Sequence, residues 1–175
     1  MKSILAAIFS LLSGIVMWIP FWPIRWIYLK ICLKSLGKGC YIARNVDIRV
    51  PWRITIGNNT IINKNVLLDG RRLEFIIGNN VNIAQDVKIW TLTHDINSPN
   101  HQSVKYLTKI NDYVWIGVDS IILSGVTIET GAVIAAGAIV SKSVASNNVV
   151  GGNPCKFIKM RKNPLHYTLK HRCII

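Results

Sequence analysis

Isoleucine or valine returns every six residues along most of this chain. That period fits neither the 3.6-residue turn of a helix nor the two-residue alternation of a simple strand. The run Ile110, Ile116, Ile122, Ile128, Ile134 and Val140 is unbroken, and Val114, Ser120, Val126, Ala132, Ala138 and Val144 take the fifth place of each hexamer. The same spacing holds Ile77, Ile83 and Ile89, with Val81 and Val87 between them, and earlier Ile56, Ile62 and Leu68. A single hexamer buries one aliphatic side chain and has no core of its own, so such units are stable only when stacked. Small residues follow the aliphatic one at Gly57, Gly78, Ala84, Gly117 and Ala135, and Asn58-Asn59 and Asn79-Asn80 add turn chemistry. Three strand-and-turn hexamers close one triangular coil of a parallel β-helix, and roughly five coils at about 4.8 Å each make a prism on the order of 24 Å long. The expected architecture is all-β: a β-helix over 39–150, an apolar helical segment over 1–38 before it, and a short, basic helical tail over 151–175 after it.

The aliphatic stripe is core, so chemistry must come from what interrupts it. Asp69 to Ile76, with Gly70-Arg71-Arg72, lengthens one coil slightly. A larger break runs from His94 to Lys109 and carries Asp95, Pro99, His101 and Tyr106. The coils on both sides keep register, so the segment 95–109 must loop out of the wall, and a long loop of this kind is more often functional than accidental.

Residues 3–24 carry no charged side chain, and Pro20 and Pro23 sit near the end of that run, beside Trp18, Trp22, Trp26 and Tyr28. The run approaches the length needed to cross the ~30 Å hydrocarbon core of a bilayer, and its aromatic border suits the headgroup level. The alternative is a helix packed on the open end of the prism. No small-x-small cleavage site follows the run, so a signal peptide is not expected. Lys2, Arg25, Lys30, Lys34 and Lys38 lie in residues 1–40 with no acid, and Lys142, Lys156, Lys159, Arg161, Lys162, Lys170 and Arg172 follow Glu129, again with none. A net charge of +13 gathered at both ends suits an anionic membrane surface and a phosphate-bearing ligand. Nucleic acid is not an expected partner, because no recognition motif accompanies the charge. Cys32, Cys40, Cys155 and Cys173 have no metal spacing and suggest a reducing compartment.

Four segments carry a family resemblance: Thr93-His94-Asp95 before the loop, Val114-Trp115-Ile116-Gly117, Ile122-Leu123-Ser124-Gly125-Val126-Thr127-Ile128, and Val149-Val150-Gly151-Gly152-Asn153-Pro154-Cys155-Lys156. Together with the repeat, over about residues 40–163, they resemble the left-handed β-helix acyltransferases, above all the sugar O-acetyltransferases of the galactoside, maltose and colanic acid type. The resemblance implies a left-handed coil, acetyl-coenzyme A as donor without a metal, and a homotrimer with active sites between neighbouring prisms. Galactoside and maltose enzymes begin with a helical region bearing acceptor-binding residues, whereas this chain begins with the apolar run. That departure favours a sugar or lipid-linked glycan acceptor in surface polysaccharide, capsule or lipopolysaccharide synthesis, at the cytoplasmic face of a bacterial inner membrane.

An alcohol is a poor nucleophile until its proton leaves, so acetyl transfer to a sugar hydroxyl needs a base, and histidine suits that work near neutral pH. His94 matches the family's catalytic histidine, with Asp95 a candidate to orient its ring. Asp69 resembles the acceptor-contacting acid and Asn65 the acceptor-binding asparagine, with Asn63 competing if the register shifts. For the donor, Gly117, Ser124 and Gly137 offer small side chains past which a pantetheine arm could lie, and Lys142, Lys156, Lys159 and Arg161 could compensate phosphates. Trp115 either walls the coenzyme groove or is an interface aromatic. Cys155 is read as a tolerated small residue and not as a nucleophile.

Other readings share the fold. A carbonic anhydrase on a β-helix needs three histidines converging on zinc from adjacent coils, whereas His94 and His101 belong to one loop and His166 and His171 to the tail. A serine acetyltransferase-like enzyme or an enzyme acting on a nucleotide sugar would use the same chemistry on another acceptor. A purely structural β-helix leaves the His-Asp loop unexplained.

Overall fold

The computed structural model describes residues 2–71 and 73–171; Arg72, Arg172 and Cys173 lie outside them. After two helices, α1 (Lys2–Trp18) and α2 (Trp22–Cys32), the chain winds into a three-walled parallel solenoid. The first wall stacks Ser35–Leu36, Ile54–Ile56, Phe75–Ile77, Thr108–Ile110 and Thr127–Ile128. The second holds Tyr41–Ile42, Ile61–Ile62, Asn82–Ile83, Trp115–Ile116, Val133–Ile134 and Asn148–Gly151, and the third holds Asp47–Arg49, Leu67–Asp69, Lys88–Ile89, Ile121–Ile122 and Ile139–Val140. Equivalent hexamer positions pair across coils, as in Ile56 with Ile77 and Ile116 with Ile134. Both sequence stripes therefore face inward, and Ile110, Ile116, Ile122, Val114, Ser120 and Ala138 are wholly buried.

At many corners one residue sits in the left-handed region, and at several of these the sequence supplies Asn or Asp. Asn59, Asn65, Asn80, Asp86 and Asp119 take φ between 52° and 63° there, a conformation that Asn and Asp adopt more readily than other side chains. One corner is also laced by side chains: the amides of Lys38, Asn58 and Asn79 donate to Oδ1 of Asn58, Asn79 and Asp112, at 2.8, 2.7 and 2.7 Å. The coils approach so closely at that corner that a Cβ on Gly57 would stand 2.6 Å from the Gly78 carbonyl.

The N-terminal segment corrects an expectation. Helix α1 has 17 residues, which at about 1.5 Å per residue falls short of the ~30 Å hydrocarbon core. Among the described residues no helix is long and apolar enough to cross a membrane. The expected anchor at the cytoplasmic face of an inner membrane is therefore overturned. Instead, Met17, Leu29 and Leu33 join the core of the first coil, and the Asn45 amide donates to the Met17 carbonyl at 2.9 Å. Arg25 of α2 is wholly buried and donates to the carbonyls of Ile19 and Ile42, which fixes the break between the helices to the open end of the prism. Burial lowers its pKa from the ordinary arginine value.

The tail corrects a second expectation, for among its described residues none is helical. Lys156–Met160 forms a strand antiparallel to Asn148–Gly151, and residues 161–171 then run without helix back along the prism. Asn163-Pro164 disfavours helix locally, and coil groups satisfy the tail instead. The Arg161 amide donates to the Asn147 carbonyl at 2.7 Å, the Leu169 amide to Asn80 Oδ1 at 3.0 Å, and the His171 ring stacks 3.4 Å from that of Tyr41.

Candidate active site

After Ile89 the chain leaves the third wall. Leu92–His94 pairs antiparallel with Ser103–Lys105, and His94 lies opposite Ser103. The neck of this hairpin is pinned by Thr108, whose hydroxyl donates to the Trp90 carbonyl at 3.2 Å and accepts the Gly125 amide at 3.1 Å. Its tip is ordered by local polar groups. Asp95 Oδ1 accepts the Asn97 amide at 2.9 Å, and Ser98 Oγ accepts the amides of Asn100 and Gln102 at 3.3 and 3.2 Å. The hairpin stands clear of the wall, and Ile96 at its tip is 94% exposed.

His94 is exposed, yet its ring is held. Nδ1 lies 2.9 Å from the His101 carbonyl, and the two imidazoles stack at 4.0 Å with 8° between their planes. A carbonyl only accepts, so Nδ1 carries the proton and the lone pair of a neutral ring sits on Nε2. The ring is thus oriented by a backbone carbonyl, while the Asp95 carboxylate is engaged in the turn.

Asp69 lies wholly buried at the root of the hairpin. Its Oδ1 accepts from Arg71 Nε at 2.8 Å, and its Oδ2 from Arg71 Nη2 and the Thr91 amide, both at 3.3 Å. This joins the long coil of Gly70 and Arg71 to the residue three positions before His94. Arg49 and Arg71 also sit 5.5 and 5.9 Å from the Trp90 ring. Asn65 occupies a corner at φ 60° and donates its side-chain amide to Asp86 Oδ1 at 2.9 Å.

The donor candidates divide. Trp115, 50% exposed on the outer face of the second wall, lines with Val133, Lys159, Arg161 and Pro164 a cleft of about 940 Å³. Gly117 is demanded by the next coil, since a Cβ there would stand 2.6 Å from the Ala136 nitrogen, whereas Gly137 faces open space. Ser124 Oγ is buried and has no hydrogen-bond partner among the described residues. Lys142 and Lys156 are exposed toward the late coils. Arg161 is committed elsewhere: Nη1 donates to the carbonyls of Tyr113 and Gly131, and Nη2 to the Tyr167 hydroxyl. Among the described residues no group of three or more His, Cys, Asp or Glu could hold a metal ion.

Sequence reasoning gave no role to His101, Arg71 or Trp90. A signal for the first was present: folding a hairpin about Asn97-Ser98-Pro99-Asn100 brings His101 back against His94.

A family model, bacterial transferase hexapeptide (six repeats), matches residues 107–142. The chain is 31% identical over 146 residues to the putative colanic acid biosynthesis acetyltransferase WcaF of Escherichia coli K12, covering 82% of this chain and 80% of that protein. The solved maltose O-acetyltransferase of Clostridium difficile 630 superposes with a TM-score of 0.81 at 30% identity, over 89% of this chain and 86% of that one. A hexapeptide-repeat acetyltransferase of Vibrio cholerae, solved with acetyl coenzyme A, gives 0.80 at 26% identity, over 88% and 86%. Against two yeast putative acetyltransferases at 43% and 40% identity, the chain spans about half of the relative's length, 55% and 44%. A shared repeat, a shared solenoid and identity maintained along most of both chains establish that this protein belongs to the hexapeptide-repeat acetyltransferases, a family of left-handed β-solenoids.

Proposed function

We propose that this protein transfers an acetyl group from acetyl-coenzyme A to a hydroxyl of a sugar or lipid-linked glycan used in surface polysaccharide, with His94 as general base. The observation that carries the reading is the 2.9 Å contact of His94 Nδ1 with the His101 carbonyl on an exposed hairpin, which assigns the lone pair of the neutral ring to Nε2. Nε2 takes the proton of the acceptor hydroxyl as its oxygen attacks the thioester carbon. The carbon–oxygen bond forms, the carbon–sulfur bond breaks, and the imidazolium returns its proton to the departing thiolate. Gly137, which faces open space, and the backbone at Ser124 contact the donor's pantetheine arm. Trp115 and Gly117 belong to the same groove, and Lys142, Lys156 and Lys159 face the phosphates. Asn65 and the Asp69–Arg71 pair serve the acceptor, and Asp95 shapes the turn. Arg161 acts on the donor only by holding the tail that borders the Trp115 cleft.

A homotrimer completes this reading. One chain leaves His94 exposed on a hairpin that stands off the prism, so the facing side of the site is built by a neighbouring copy. The WcaF and maltose O-acetyltransferase likenesses support a sugar acceptor, and the Vibrio cholerae complex supports the donor.

The test is incubation of the purified protein with acetyl-coenzyme A and a panel of galactosides, maltose, nucleotide sugars and surface oligosaccharides. One thiol should be released for each acetyl group that mass spectrometry finds on a sugar. Thiol release with acetyl on serine, or on none of the sugars, contradicts the proposal.

A further inference from the structure

Two features of one residue converge on His94. His101 sits at φ 49° in the left-handed region, and this kink turns both its carbonyl and its ring toward the same imidazole. The carbonyl meets Nδ1 at 2.9 Å, and the ring lies parallel to the His94 ring at 4.0 Å and 8°. The kink is itself held: the His101 amide donates to the Ser98 carbonyl at 3.1 Å, and the Asp95 amide to the Gln102 carbonyl at 2.8 Å.

An exposed histidine on a hairpin has free rotation about χ1 and a broad χ2, and one hydrogen bond at the ring edge leaves it able to swing about that contact. A flat ring across its face removes that freedom. The hydrogen bond selects the tautomer, and the stack fixes the plane in which the Nε2 lone pair points. We propose that the His101 ring is a positioning element for the base, distinct from the carbonyl of the same residue, and that a planar ring without an imidazole can replace it. The inference rests on the reading of His94 as base.

The chain itself suggests the variants. Asn is accepted in the left-handed region at Asn59, Asn65 and Asn80, so His101→Asn keeps the backbone and the carbonyl and removes only the stacked ring. Tyr113 holds an aromatic side chain at φ 60°, and Tyr41 stacks on His171 at 3.4 Å and 4°, so His101→Tyr has precedent in both backbone and ring contact.

The full chain is labelled with ¹⁵N-histidine, and His94→Ala assigns the His94 signals. All three proteins should show the Nδ1–H tautomer that the retained carbonyl selects, while relaxation of the His94 ring nitrogens should show a fixed ring in the wild type, a mobile ring in His101→Asn and a fixed ring again in His101→Tyr. Turnover with acetyl-coenzyme A and whichever panel sugar is acetylated should follow. His101→Asn should lower kcat about 10-fold with both KM values unchanged, and His101→Tyr should restore most of it. A His94 ring as ordered in His101→Asn as in the wild type overturns the proposal, as does a failure of His101→Tyr to restore the order. If His94→Ala abolishes turnover while His101→Asn matches wild type, the base reading stands and the positioning inference falls. If His94→Ala turns over normally, the base reading itself fails.

Discussion

Arg161 Nη1 lies 2.8 Å from the carbonyl oxygen of Tyr113 and reaches that of Gly131 at 3.0 Å. Tyr113, Gly131 and Asn147 occupy one corner on three successive coils, all with positive φ, and the Arg161 amide closes on Asn147. One residue thus ties three coils through carbonyls that the solenoid's own pairing leaves available. Hydrogen bonds to a charged donor contribute about 1.5–3 kcal/mol, so Arg161→Ala should destabilise the chain by about 2 kcal/mol. Calorimetry should find a melting temperature several degrees lower. Arg161→Lys should recover little of it, because an ammonium lacks the planar fork that reaches two carbonyls and a hydroxyl together. An unchanged melting temperature contradicts the role.

The far end of the same tail should respond to pH. Partial burial lowers the His171 pKa from its ordinary 6.5, so the docked ring favours the neutral form. The undocked tail takes up a proton first as pH falls. Docking is therefore complete above the undocked value and is lost as pH drops through the lower, docked value. Hydrogen-exchange protection of the Leu169 amide, which donates to Asn80, should be greater at about pH 7.5 than at about pH 5. His171→Phe should remove the difference; equal protection at both values in the wild type contradicts the coupling.

The repeat was legible because its physics is local. A six-residue aliphatic period admits few folds, and Ile110 to Val140 took their predicted inward places. The ends were not legible, because their fate depends on contacts absent from composition. The apolar run reads as a bilayer segment until Pro20 breaks it and Arg25 enters the first coil to hold the carbonyls of Ile19 and Ile42. The basic tail reads as a helix until the corner of the prism offers its carbonyls to Arg161. The hairpin that carries His94 could be found by interruption of the period, while His94 itself stands out by the family resemblance of Thr93-His94-Asp95. Its orienting group could not, because a backbone carbonyl has no residue type to search for.

Close coil approach gives a third expectation. Gly57→Ala would place a Cβ 2.6 Å from the Gly78 backbone, where neither coil can retreat without breaking its pairing. The substitution should lower the melting temperature by several degrees, as overpacking typically costs about 1–3 kcal/mol. Gly14→Ala, which meets nothing within 4 Å, is the control and should be neutral or slightly stabilising. Equal behaviour of the two variants would show that the corner is looser than described.

Asp69 links the long coil to the hairpin. Asp69→Ala leaves the Thr91 amide without its acceptor in a buried place and releases Arg71. The expected cost is about 3 kcal/mol. Exchange at the Thr91 amide should rise more than exchange along the Ile116–Ile134 ladder. Uniform change across both would assign Asp69 to global stability alone.

The most direct measurement is acetyl transfer by purified His94→Ala on the sugar that the wild type acetylates, alongside calorimetric binding of coenzyme A. With the ring exposed outside the core and the lone pair on Nε2, transfer should fall about 10²-fold or more, while coenzyme A binding and assembly state stay as in the wild type. Wild-type turnover by His94→Ala would contradict the assignment of His94 as the base.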